Sequence, residues 1–173
     1  MELWDCYDIN RQLTGGELVR GKTLSEGCFH TVIHVCVFNS KGEMLIQQRQ
    51  PFKKGWSNLW DVSCGGSILK GETSQMGAHR ELLEELGIDY DFSGIRPNFT
   101  YNFYGGFDDF YLIEKETDIN SLKFQYEEVQ GAKWASREEI LKMIDEGLFI
   151  PYFKSIINMV FEVRGQHNGC IRI

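Results

Sequence analysis

"GGSILKGETSQMGAHRELLEELGI", residues 65 to 88, sets four acids, Glu72, Glu81, Glu84 and Glu85, behind a pair of glycines. An α-helix turns through about 100° per residue, so positions three and four apart share a face. Glu81, Glu84 and Glu85 therefore lie along one side of a helix predicted over residues 74 to 86. Ile68, Met76, Leu82, Leu83 and Leu86 give this region apolar surface, and Gly87 is placed to stop the helix. Like charges at these spacings cost helix stability. A divalent cation among them removes that cost. Clustered carboxylates suit hard, oxygen-preferring cations, Mg²⁺ or Mn²⁺. Such a cation can clamp a diphosphate and activate water for attack on phosphorus. An isolated string of this kind is more often a solvated helix face.

The rest of the chain limits that chemistry. A length of 173 residues suits one domain and can bury a core without staples. The expectation is one unit over residues 1–173, with a short β extension at about 1–25, a last helix at about 151–164 and a tail at 165–173. The formal net charge of −7 argues against a grip on nucleic acid polymers. It leaves a small diphosphate substrate open, because a bound metal reverses the local sign. Cys6, Cys28, Cys36, Cys64 and Cys170 are scattered, odd in number and form no CxxC pair. Neither a zinc site nor a disulfide framework is expected, and reduced thiols in a cytoplasmic protein are the simpler reading. "MELWDCYDIN" lacks the basic-then-apolar order of a signal peptide, and no apolar run is long enough to cross a membrane.

"MELWDCYD" and "GELV" read as short strands joined by the turn "LTGG". "FHTVIHVCVFN" is β-branched and apolar, a buried strand, and "SKGE" turns it into the partner "MLIQQR". "LWDVSCGGSI" suggests two short strands around a glycine break. Further strands are expected near 97–104, 108–115 and 130–135. Ser136 to Glu139 has capping-box spacing at the start of "SREEILKMIDEG", and "PYFKSIINMVFEV" predicts a final helix. This is a mixed, strand-rich sheet with helices packed on it. The N-terminal strands and the final helix offer a homodimer contact.

Gly66, five residues, Glu72, seven residues, then "RELLEELGI" from Arg80 to Ile88 resembles the Nudix hydrolase signature at every fixed position. The box spans 23 residues, and the flanking strands resemble the same fold over most of residues 1–164. The resemblance implies an α/β/α sandwich of the α+β class, with a mixed sheet between helices. It also implies roles. Glu84 and Glu85 are the main metal ligands, with Glu81 as ligand or general base. Arg80 pairs with Glu72 and holds loop against helix. The carbonyl of Gly65 or Gly66 completes the metal sphere. Family members often add an acid from outside the box, and Glu127 and Glu128 in "YEEV" are the candidates, with exposed loop charge as the plain alternative.

"FHTVIHVCVFNSKGEMLIQQRQPFKKGWSNLWDVSCGG" is also similar to the segment before the box in type 1 isopentenyl-diphosphate isomerases, a Nudix-fold branch. Cys64 falls on their catalytic cysteine and His30 on a metal-binding histidine. The pattern then departs. Gly66 replaces the histidine of their Cys-Gly-His motif, Thr23 stands at another histidine position, and their acidic pair lands near Phe107 and Asp109. The expectation is therefore a Mg²⁺- or Mn²⁺-dependent pyrophosphohydrolase acting on a nucleoside di- or triphosphate or related compound. The alternatives are a double-bond isomerase and a non-catalytic nucleotide-binding domain. Arg49, Lys53, Lys54, Trp56 and His30 are candidate substrate contacts, each with an ordinary surface or core reading beside it. His30 and His34 share a strand face, which also fits paired core histidines.

Overall fold

The computed structural model describes residues 2–166. His167 and Cys170, a loose end in the sequence, lie outside the described residues. A seven-stranded mixed sheet forms the centre. Its axis is β3 (His30–Phe38), flanked by β8 (Gly106–Glu114) in parallel and by β6 (Cys64–Ser67) antiparallel. β4 (Met44–Arg49) pairs with β5 (Trp60–Asp61) and β9 (Val129–Ala135), and β7 (Phe99–Phe103) edges β8. Between β3 and β4 the register pairs only Phe38 with Met44, because β6 takes most of that edge of β3.

Strand alternation divides the core into two layers. Ile33, Val35, Val37 and Leu45 face one side, where α1 (Ser74–Leu86) lays Ala78, Leu82 and Leu86 on them. Cys36, Phe38, Met44 and Ile46 face the other, under α2 (Arg137–Asp145) and α3 (Lys154–Val163). The result is the α/β/α sandwich expected from the sequence.

The N-terminal strands differ from expectation in one detail. β1 (Leu3–Tyr7) and β2 (Leu13–Val19) form their own two-stranded sheet, but "LTGG" lies inside β2. The turn is at Asp8–Gln12 instead, where the Asp8 side chain accepts from the N–H groups of Asn10 and Gln12. An Asp that satisfies its own turn outcompetes the glycine pair as the reversal point. The capping box is also incomplete: Ser136 accepts from the Glu139 N–H, while the Glu139 carboxylate pairs with Lys133. In "LWDVSCGGSI" the interruption falls at Val62 and Ser63, and both glycines belong to β6.

Cys6 and Cys28 are joined as a disulfide, against the expectation of reduced thiols. Their Cα atoms are 5.3 Å apart, within the range a disulfide spans. A separation of 22 residues carries no local signal, so only the folded hairpin brings them together. Cys36 and Cys64 are buried free thiols.

Candidate active site

Helix α1 begins where Thr73 accepts from the Met76 N–H and ends at Gly87, whose φ of 70° is left-handed. A side chain at Gly87 would press on Lys123, whose N–H caps the Leu86 carbonyl. Between these stops, Ala78, Leu82, Glu85 and Leu86 form the buried stripe. Glu85 thus shares a face with leucines. The residue is 3% exposed, and Gln47 Nε2 on β4 donates to its carboxylate at 2.7 Å. Gln47 Oε1 has no partner among the described residues. Burial, then the charge of Glu81, pushes the Glu85 carboxyl well above the usual range, and the Gln47 hydrogen bond offsets only part.

Arg80 organises the neighbouring acids. Its five N–H donors find five acceptors: both oxygens of Glu72 (2.7 and 3.0 Å), Glu81 (2.8 Å), Glu84 (3.3 Å) and the Ser67 carbonyl (3.1 Å). Glu72 also accepts from the Leu69 N–H. Burial works to raise the Glu72 carboxyl, but these hydrogen bonds outweigh it and hold it low. Glu81 is different. Burial raises it more than Arg80 lowers it, and Glu84 and Glu128 add to the rise.

Gly66 lies on β6 beside Glu81. A Cβ there would stand 2.2 Å from Glu81 Oε1, so the glycine is the space in which that carboxylate rests. Gly65 backs onto the His34 ring.

A cleft of about 380 Å³ collects these groups. Arg49, Gly66, Arg80, Glu81, Glu84, Glu85 and Glu128 line it, as the sequence suggested, and so do Glu2, Arg20 and Gln125, which it did not. Glu72 reaches the site through Arg80. Glu127 is exposed. Lys53 pairs with Glu128 behind the lining. Lys54 and Trp56 are exposed on the loop after β4 and do not line the cleft. His30 is a correction too: its ring stacks on Trp4 at 4.4 Å and meets Phe103 edge-on, away from the cleft. His34 does not line the cleft either: it lies behind Gly65, bonded to Asp108 (2.5 Å) and to the Tyr152 hydroxyl (3.0 Å).

Among the described residues no three acidic, histidine or cysteine side chains are gathered as a ready-made metal cage. The reason is local. Arg80 turns Glu81 and Glu84 toward itself, and Gln47 takes Glu85. The donor set nevertheless suits a hard divalent cation. Five carboxylates line one cleft beside Arg80, and the most deeply buried, Glu85, has no cationic partner among the described residues. A buried carboxylate in that condition is costly until a cation joins it.

The isomerase positions are spent elsewhere. Cys64 is fully buried, and burial followed by the charges of Glu85 and Glu81 pushes its thiol well up, away from a reactive thiolate. Asp109 is fully enclosed by Arg11, Thr100 and Ser74.

The NUDIX domain family model matches residues 29–153. An uncharacterized Nudix hydrolase of Listeria monocytogenes is 49% identical over 95% of this chain and 96% of its own. An isopentenyl-diphosphate Delta-isomerase of Photorhabdus laumondii is 31% identical over 77% of this chain and 78% of its own. A crystal structure from Deinococcus radiodurans superposes with a TM-score of 0.73 at 23% identity, covering 93% of this chain and 98% of that one.

Proposed function

Because the chain belongs to the Nudix hydrolases, enzymes acting on pyrophosphate bonds, we propose a Mg²⁺-dependent pyrophosphohydrolase. Its substrate is a nucleoside diphosphate linked to another moiety, such as a nucleoside di- or triphosphate. Mn²⁺ is the alternative cation. The observation that carries this reading is the buried Glu85, without a cationic partner among the described residues, in a cleft that Glu81, Glu84 and Glu128 also line. Glu84 and Glu85 hold the cation, with Glu81 and the Gly66 carbonyl beside them. When bound, the cation supplies phosphoryl polarisation and a more acidic water. Glu81, made more basic by burial, accepts the proton of the attacking water. Arg80, tied to Glu72, orients Glu81 and keeps the loop before the helix against it. Arg49 lines the same cleft and adds positive charge there, while its own hydrogen bond goes to the Gly55 carbonyl. The buried thiol of Cys64 and the glycine at position 66 speak against the isomerase alternative.

The same reading takes residues 1–173 as one Nudix unit with an N-terminal β extension, working in the cytoplasm. No helix among the described residues is long and apolar enough to cross a membrane. A homodimer through the N-terminal strands or the last helix is part of the proposal.

The test is incubation with Mg²⁺ and a panel of nucleoside di- and triphosphates, sugar nucleotides, dinucleoside polyphosphates and isopentenyl diphosphate, followed by phosphorus NMR. Phosphate or pyrophosphate released from one class supports the reading and names the substrate. Dimethylallyl diphosphate formed from the isoprenoid, with all anhydrides intact, would overturn it. Tight nucleotide binding without product would favour a binding domain.

Gly66→Ala forces the Glu81 carboxylate from its resting place. Disturbing a supporting position typically costs about 10- to 100-fold in metal affinity. That loss is expected in a calorimetric Mg²⁺ titration, with the circular dichroism spectrum unchanged.

A further inference from the structure

The cleft has a wall that the family domain does not supply. The match covers residues 29–153, whereas Glu2 and Arg20 line the cleft from the β1–β2 hairpin. The hairpin is fastened at several points. Cys6 is bonded to Cys28, Trp4 stacks on His30, and Tyr7 bridges Phe29. The Lys70 N–H donates to the Leu3 carbonyl, and the Gly71 N–H to Asp5. These last contacts seat β1 along the loop between Ser67 and Glu72, beside the acids. Arg20 follows directly on β2, and its N–H donates to the Glu2 carbonyl at 3.1 Å.

The three guanidinium groups of the cleft are not equivalent. Arg80 has all five donors engaged. Arg49 is mostly buried and turned toward the Gly55 carbonyl and Asp61. Arg20 is 59% exposed, and its only side-chain acceptor among the described residues is Glu2, at 2.6 Å. It shares the lining of the cleft with Glu81, Glu84, Glu85 and Glu128. Glu2 is held in turn by the Trp4 indole N–H at 2.9 Å. A guanidinium with donors to spare, beside carboxylates suited to a cation, has the fork geometry that phosphate oxygens accept.

We infer that Arg20 is a substrate-binding residue of this enzyme: it takes phosphate oxygens of the metal-held diphosphate, and Glu2 is the internal acceptor that the diphosphate replaces. This rests on the hydrolase reading above. It gives the N-terminal hairpin a role in binding diphosphate that the matched domain alone does not provide.

The experiment uses the full chain and Mg²⁺ with methylenediphosphonate, a diphosphate that cannot be hydrolysed, in isothermal titration calorimetry. Arg20→Gln should weaken the probe about 10- to 100-fold, the range of charge-assisted hydrogen bonds. Arg20→Lys should recover part, because a point charge replaces the fork. Glu2→Gln should tighten the probe, because the competing carboxylate is gone. An exposed ion pair contributes little to folding, so the melting temperatures should stay together. A purely structural role would move both variants the same way. If Arg20→Gln binds like the wild type while Glu85→Gln does not bind, the inference about Arg20 is wrong and the hydrolase reading stands. If the wild type itself does not bind the probe with Mg²⁺, both fall.

Discussion

Glu85→Gln will lower turnover by roughly two to three orders of magnitude at saturating Mg²⁺, the several kcal/mol that a metal site contributes, and will raise the melting temperature of the metal-free protein. The two effects share one cause. Glu85 is buried beside leucines with no cationic partner among the described residues, so its charge is a burden until metal arrives. The amide variant removes the charge and offers a donor to Gln47 Oε1, which has no partner among the described residues. A gain of about 1–2 kcal/mol is reasonable for such a change, or roughly 2–8 °C for a chain of this size.

The pH dependence gives a second check on the same residue. The folded carboxyl binds its proton more tightly than the unfolded one, because burial raises it. Between the two values the folded state carries the extra proton. The stability linked to this group is fully present below the unfolded value and is lost as pH rises through the folded one. The melting temperature of the wild type in EDTA, measured relative to Glu85→Gln, should therefore fall as pH rises above about 4.3, the ordinary glutamate value. Added Mg²⁺ should stabilise the wild type and leave the variant nearly unmoved. Parallel pH curves, or equal Mg²⁺ responses, would remove Glu85 from the metal site.

Arg80→Ala will be the most damaging substitution to the fold of the site. It leaves Glu72 and Glu81 mostly buried without their cation, and breaking such a pair costs about 3–5 kcal/mol. The expected fall in melting temperature is roughly 6–20 °C. Turnover should fall with it, since Glu81 loses the group that aims it. Arg80→Lys should recover little, because an ammonium has three donors and the site uses five acceptors. Thermal melts and kcat measured on the three proteins decide this. A lysine variant equal to wild type in both would reduce Arg80 to a simple charge.

Much of this was legible in order along the chain. The helix over 74–86 shows in Leu82 and Leu86, and its end shows in Gly87, whereas Met76 and Leu83, read as apolar surface with them, are exposed. These are short-range signals: each depends on neighbours within two turns. The acids of the box were likewise recognisable by spacing alone. What spacing did not show was which acid is buried. Glu84 and Glu85 are adjacent in sequence, yet one is half exposed and the other lies under β4, because the leucine stripe turns Glu85 inward.

The other surprises come from contacts between distant residues. Gln47 reads as one polar residue in a buried strand, and only the packing of α1 on the sheet makes it the partner of Glu85, 38 positions away. Cys6 and Cys28 look unrelated until the hairpin folds back. His30 looked like a site residue by alignment with a metal-binding histidine, but Trp4 covers it. Trp56 and Lys54 drew notice for their chemistry, while the loop that carries them stays outside the cleft.

The sequence by itself determined the family, the helix with its acids and the alternation that makes two core layers, because periodicity and local spacing are written residue by residue. Only the tertiary structure decided the rest. It paired Arg80 with all its acceptors, sank Glu85 against Gln47 and brought Arg20 from the N-terminal hairpin to the rim. Burial and long-range contact are properties of the packed chain, and no stretch of sequence holds them alone.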